Sequence, residues 1–259
     1  MKAKEIHEYL LSGALGRWEN TCDLLIAGDE NKEVHKIGTC FKLTAKVIDE
    51  AAKQGIDMMI THEPTFSQGD IREDAVGIDL KKWELLDKSG IVVYRFHDHA
   101  HHREPDYIHA GFIRALGLDI KHKHERESLG VCRYELDGDM TVRQFAKRIE
   151  ERMGVEFVRV VGALDIPVKT VCLGLGSVGF KQINYLLEPG CDLFVTGEVG
   201  EVKVCEYVRD ACYFGEEKAV ILLGHYSAEY EGMRLLAEEL NEKLLPTEYF
   251  DSGEVYTHA

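Results

Sequence analysis

Histidines and carboxylates recur in this chain at four places that share one local context. His62 and Glu63 follow the apolar run Ile56 to Ile60, and His97 and Asp98 follow Ile91 to Phe96. Glu198 follows the run Asp192 to Val195, and His225 follows Ala219 to Leu223. Each run reads as a strand, and in open α/β sheets ligand sites form where loops converge at the carboxyl ends of strands. Imidazole mixed with carboxylate, without thiolate, is the donor set of borderline divalent ions: Zn, Fe, Mn or Co. His225 and Glu229 stand four residues apart at the start of a helical segment, so both side chains lie on one face and can close on a single ion. A carboxylate in that first turn can also bridge two ions. Four of the 12 histidines crowd into one stretch, His97, His99, His101 and His102.

Each motif taken alone has a plainer reading. A His-x-x-x-Glu pair on a helix can be a surface pair, the run Thr61-His62-Glu63-Pro64 can cap a strand with the proline enforcing a turn, and the histidine stretch can be a solvated loop that picks up nickel. What favours metal chemistry is four strand ends delivering the same kinds of group. The turn from Gly174 to Gly179 lacks the following Lys-Ser/Thr pair of a P-loop and reads as a tight left-handed turn, with phosphate binding at the next helix N-terminus as the alternative.

The elements that must position these groups alternate between short β-rich runs and helical periods, the pattern of a mainly parallel sheet with crossover helices. Strands are expected at Val34 to Phe41, Ile56 to Ile60, Ile91 to Phe96, Val131 to Leu136, Phe157 to Val161, Val168 to Leu173, Asp192 to Val195 and Ala219 to Leu223. Helices are expected over Met1 to Leu11, from the cap Thr44 to Gly55, Asp79 to Lys88, Pro105 to Gly117, Thr141 to Met153, Gly179 to Gly190, Val202 to Cys212 and Ser227 to Glu242. Residues 55–63 and 190–198 share Gly-x-Asp, three apolar residues and Thr-x-Glu, and each is followed by a helix and a strand ending at a histidine, which implies a diverged internal duplication. The expected fold is therefore two similar α/β lobes, 1–125 and 126–259, with the metal site between them. The C-terminal helix is free to pack on the first lobe, and the charged stretch Asp119 to Ser128 reads as an exposed connection.

Composition bounds the function. With 31 basic and 46 acidic residues the formal charge is −15, which disfavours nucleic acid and anionic membranes as partners. The run Ala219 to Leu223 is too short to cross a bilayer. Glu5 and Glu8 interrupt the N-terminal segment, so no export signal is read and a cytoplasmic location is expected. Seven cysteines, without a Cys-x-x-Cys pair, read as reduced core side chains.

The motifs resemble the NIF-three-like family, described as dinuclear metal centre hexameric proteins and often called GTP cyclohydrolase 1 type 2 homologues. The resemblance rests on Cys22 to Gly28, Thr61-His62-Glu63-Pro64, Gly176-Ser177-x-Gly179, Thr196-Gly197-Glu198 and, most specifically, Gly224-His225-Tyr226-Ser227-Ala228-Glu229. It implies two metal ions per chain, two lobes enclosing the site, and a toroidal homohexamer; this chain is too short for the inserted middle domain of longer members. His62, His225 and Glu229 match family ligands. Glu63 stands where a second histidine is usual, and His101 stands at the place of an aspartate, so that His101 and Asp98 compete as a fifth ligand. The leading functional expectation is a two-metal hydrolase of a small substrate, with His97 and Glu198 in proton transfer or positioning. GTP cyclohydrolase-type activity and a non-catalytic metal-binding scaffold are the alternatives.

Overall fold

The computed structural model of the protein describes residues 1–16, 18, 20–124, 130–179 and 190–257. The chain divides into two units, 1–107 with 232–259, and 108–231. The junction expected at 125/126 lies outside the described residues, and so does the helix expected after Gly179.

The first unit is built on five strands in the order β1-β4-β3-β2-β11: β1 (Leu25–Ala27), β2 (Ile37–Cys40), β3 (Met58–Thr61), β4 (Val92–Arg95) and β11 (Thr247–Tyr249). β2, β3, β4 and β11 run parallel, and β1 is antiparallel to β4. Strands covered on both faces need continuous apolar runs rather than alternation, and every residue of β2 and β3 is buried. Successive side chains separate the two faces. Ile37, Met58, Ile60 and Val92 pack with Ala3, Ile6 and Leu10 of α1 (Ala3–Ser12) and with Met233, Leu236 and Leu240. Cys40, Met59 and Val93 pack with α2 (Ala45–Lys53) and α3 (Ile78–Ser89) through Val47, Ile48, Ala51, Trp83 and Leu86. Thr44 caps α2 as its sequence suggests, accepting from Val47 N at 3.2 Å.

The contacts of Met233, Leu236 and Leu240 show why a single cut in sequence does not describe this unit: the end of the long helix α8 (His225–Lys243) and the following β11 complete the first sheet's layers.

The second unit has six strands in the order β5-β6-β8-β9-β10-β7, with β5 (Ile120–Lys123), β6 (Val131–Thr141), β7 (Arg159–Gly162), β8 (Pro167–Ser177), β9 (Leu193–Glu198) and β10 (Ala219–Leu222). Only β8, β9 and β10 are parallel; the pairings β5·β6, β6·β8 and β10·β7 are antiparallel, so this sheet is mixed rather than mainly parallel. One face carries α5 (Tyr107–Leu116) and α6 (Val142–Met153), with Phe112, Leu116, Phe145 and Ile149 packed on Val171, Leu193, Val195 and Ile221. On the other, Val204 and Val208 of α7 (Glu201–Tyr213) pack on Phe194 and Val220. The strand sets β1 to β4 and β7 to β10 have the same spatial order, first-fourth-third-second, with the first strand antiparallel in both.

Two further expectations change. Residues 120–123 of the supposed exposed connection form the edge strand β5, paired with β6. The glycine turn from 174 begins later, because β8 runs through Gly174 and Gly176 to Ser177. Five of the seven cysteines are buried, in keeping with core side chains.

Candidate metal centre

Strand ends deliver the predicted groups in both units. In the first, His62 directly follows β3, and His97 follows β4 by two residues and precedes the short helix α4 (Asp98–His101). The rings of His62 and His97 stack at 4.5 Å, and His101 stands edge-on to both at 5.1 Å. One nitrogen from each ring falls within 4.8 Å of the others, a grouping that can hold a metal ion. Glu63 Oε1 lies 3.6 Å from His97 Nε2, adding a carboxylate to the three imidazoles.

The tautomers follow from what each Nδ1 touches. Nδ1 of His62 faces the carbonyl of Phe96 at 3.1 Å, that of His97 faces Asp98 Oδ1 at 2.9 Å, and that of His101 faces Asp106 Oδ2 at 3.2 Å. A carbonyl or ionised carboxylate only accepts, so each Nδ1 carries the proton and each Nε2 keeps its lone pair. Burial, then the neighbouring His62, pulls the His97 pKa below its ordinary value, which keeps the ring neutral. Burial opposes the Asp98 charge, but hydrogen bonds from His97, Cys22 N and Thr21 outweigh it and hold that carboxyl well below the usual range. Partners of this kind fix ring orientation in metal-ligating histidines.

His101 joins His62 and His97, whereas Asp98 turns away, its Oδ1 taken by His97 and its Oδ2 accepting from Thr21 Oγ1 at 2.9 Å and Cys22 N at 3.1 Å. His97, expected in proton transfer, stands among the ligand nitrogens.

In the second unit His225 opens α8. Its Nδ1 faces Glu198 Oε1 at 3.0 Å, and its Nε2 lies 3.2 Å from Oε2 of the buried Glu229. A lone pair and a carboxylate oxygen at that distance repel unless a cation or proton lies with them. Glu198, at the end of β9, is 54% exposed at its side chain and orients the ring. Backbone makes room for this pair: a Cβ on Gly176 would stand 2.2 Å from Glu229 Oε1 and 3.1 Å from His225 Nε2. Gly174, Gly176 and Gly179 have the G-x-G-x-x-G spacing, but Gly176 is explained by this close approach and by its φ of +85°.

Sequence reasoning missed Asp23. Its buried carboxylate accepts from the backbone N of His97 at 2.5 Å, of Asp98 at 3.0 Å and of His99 at 2.7 Å, and it faces His99 Nδ1 at 2.7 Å. One side chain thus holds the whole histidine turn. Its signal was the motif Cys22 to Gly28, which carried the resemblance without suggesting a task.

Fold and donor set together define a two-unit α/β protein whose strand-end histidines and carboxylates can bind a divalent ion. The chain belongs to the Duf34/NIF3 (NGG1p interacting factor 3) family, whose model matches residues 1–251. It is 26% identical over 227 residues to a GTP cyclohydrolase 1 type 2 homolog of Streptomyces coelicolor, covering 84% of this chain and 77% of that one. A protein of the same name from Salmonella typhimurium is 30% identical over 221 residues, 82% of each chain. The solved structure of protein ybgI, of unknown function, superposes with a TM-score of 0.79 at 25% identity, covering 99% of this chain and 100% of that one.

Proposed function

We propose that this protein is a divalent-metal protein with a dinuclear centre and that it hydrolyses a small substrate. This reading assigns the ligands of two ions, of Zn, Fe, Mn or Co, to His62, Glu63, His97, His101, His225 and Glu229. The observation that carries this reading is the grouping at the strand ends: one ring nitrogen each of His62, His97 and His101 lies within 4.8 Å of the others, and each of these rings turns its Nδ1 to an oxygen acceptor that fixes its orientation. The donor set suits borderline ions.

Bound ions of this kind act as Lewis acids toward a phosphoryl or carbonyl oxygen and lower the pKa of water. The chain's own residues do the rest. Asp98, Asp106 and the Phe96 carbonyl hold three rings in place, and Glu198 does the same for His225. Because Glu198 is also half-exposed, it can pass a proton between the site and solvent. The charge of −15 favours a small substrate over a long polyanion.

GTP belongs in the substrate screen because relatives carry the cyclohydrolase name. The test compares turnover of phosphate esters, amides and GTP by metal-loaded and chelator-treated protein. Turnover of one class that returns when metal is restored supports the hydrolase; binding of metal with no turnover of any class refutes it and leaves a metal-binding scaffold.

A further inference from the structure

His97 presents two edges to two different surroundings. Its Nε2 faces Glu63 and the ring cluster, while its Nδ1 faces Asp98. On that second edge stands Cys22, which is brought there by the same bonds that tie residues 21–23 to the histidine turn: Cys22 N and Thr21 Oγ1 donate to Asp98, and Asp23 accepts from the turn's backbone. Cys22 Sγ, a nitrogen of His97 and a carboxylate oxygen of Asp98 all lie within 4.8 Å of one another.

We infer that Cys22, His97 and Asp98 form a separate, thiolate-containing site for a divalent transition metal, back to back with the histidine cluster across the His97 ring. The donors are one sulfur, one imidazole and one carboxylate, a combination of zinc-site ligands that is softer than the sulfur-free set on the other edge. Three protein ligands leave a further position for water or a small anion. Binding releases the Cys22 thiol proton to solvent and shifts the His97 proton from Nδ1 to Nε2, so that His97 gives its lone pair to this ion rather than to the neighbouring cluster, and the ion takes the place of the present His97–Asp98 hydrogen bond. Cys22 is half-buried, so the site is reachable. It goes beyond the function proposed above, since none of that function's hydrolytic steps uses a thiolate.

Cobalt(II) titration of the full chain separates the two sites, because a thiolate ligand adds a sulfur-to-cobalt charge-transfer band in the near ultraviolet, while any bound cobalt gives visible ligand-field bands. The wild type is expected to show both. Cys22→Ser and Cys22→Ala are expected to lose the near-ultraviolet band and one equivalent of cobalt while keeping the visible bands, and Cys212→Ser, at the other half-buried cysteine, is expected to keep both. Circular dichroism melts of the Cys22 variants verify folding. Visible bands without a near-ultraviolet band in the wild type, or a near-ultraviolet band that survives both Cys22 variants, overturns the thiolate site and leaves the dinuclear reading intact. No cobalt bound at all overturns both.

Discussion

Replacing Gly176 with alanine separates what this glycine does for the fold from what it does for the site. At φ +85° an alanine carries backbone strain of about 1–3 kcal/mol. Its Cβ would also stand 2.2 Å from Glu229 Oε1, so the carboxylate must move by more than an ångström to reach ordinary contact. Glu229 is 2% exposed and the His225 ring stands 3.1 Å from the same Cβ, so the only cheap response is to swing the carboxylate away from His225. Urea denaturation is expected to show the strain of about 1–3 kcal/mol, while zinc calorimetry is expected to show an affinity loss of about 10- to 100-fold, the range typical when the support of a ligand is disturbed. A double-mutant cycle with Glu229→Ala isolates the steric part: in that background Gly176→Ala should lower stability as before but change affinity little. Unchanged zinc affinity for Gly176→Ala in otherwise wild-type protein would refute the reasoning.

Asp23→Asn keeps the size of the side chain but turns one acceptor oxygen into a donor facing backbone N–H groups; a stability loss of about 1.5–3 kcal/mol is expected by urea titration, together with weaker metal binding at the histidine turn. Lys82 is the pH probe: burial first, then the neighbouring Lys42, pulls its pKa from 10.5 to about 8, so the unfolded chain holds more protons between these values. Stability should therefore rise from pH 8 to 10.5, and Lys82→Met should flatten that rise in chemical denaturation; a rise that persists in the variant assigns it elsewhere. Val202, Tyr213 and Phe214, at or next to the ends of α7, are 82%, 85% and 79% exposed, and the homohexamer implied by the family resemblance would have use for such a surface. Light scattering is expected to give a hexameric mass that Phe214→Glu reduces; a monomeric wild type contradicts that assembly.

The parallel strands were legible because strands buried on both faces need nearly unbroken apolar runs, as Met58 to Ile60 and Ala219 to Leu222 are. The edge strands Leu25–Ala27, Ile120–Lys123 and Thr247–Tyr249 were not, since they have three or four residues, only one of them buried, and no hydrophobic period. His62, His225 and Glu229 could be picked out because their positions follow directly from strand ends and helix spacing. That His101 stands beside His62 and His97 while Asp98 meets the Nδ1 of His97 was not legible in sequence, because it depends on how the short turn after β4 folds. Asp23 was hidden for a related reason: three of its partners are backbone N–H groups of a turn more than 70 residues away, and backbone leaves no mark on residue type.

The most direct test of the dinuclear centre is metal content per chain by inductively coupled plasma mass spectrometry. It is measured on tag-free Cys22→Ser protein, so that the thiolate site does not contribute, and on the same protein carrying His225→Ala and Glu229→Ala. Close to two ions per chain, falling to one or none in the second protein, is the predicted result. Substoichiometric metal that is unchanged by the His225 and Glu229 replacements would contradict it.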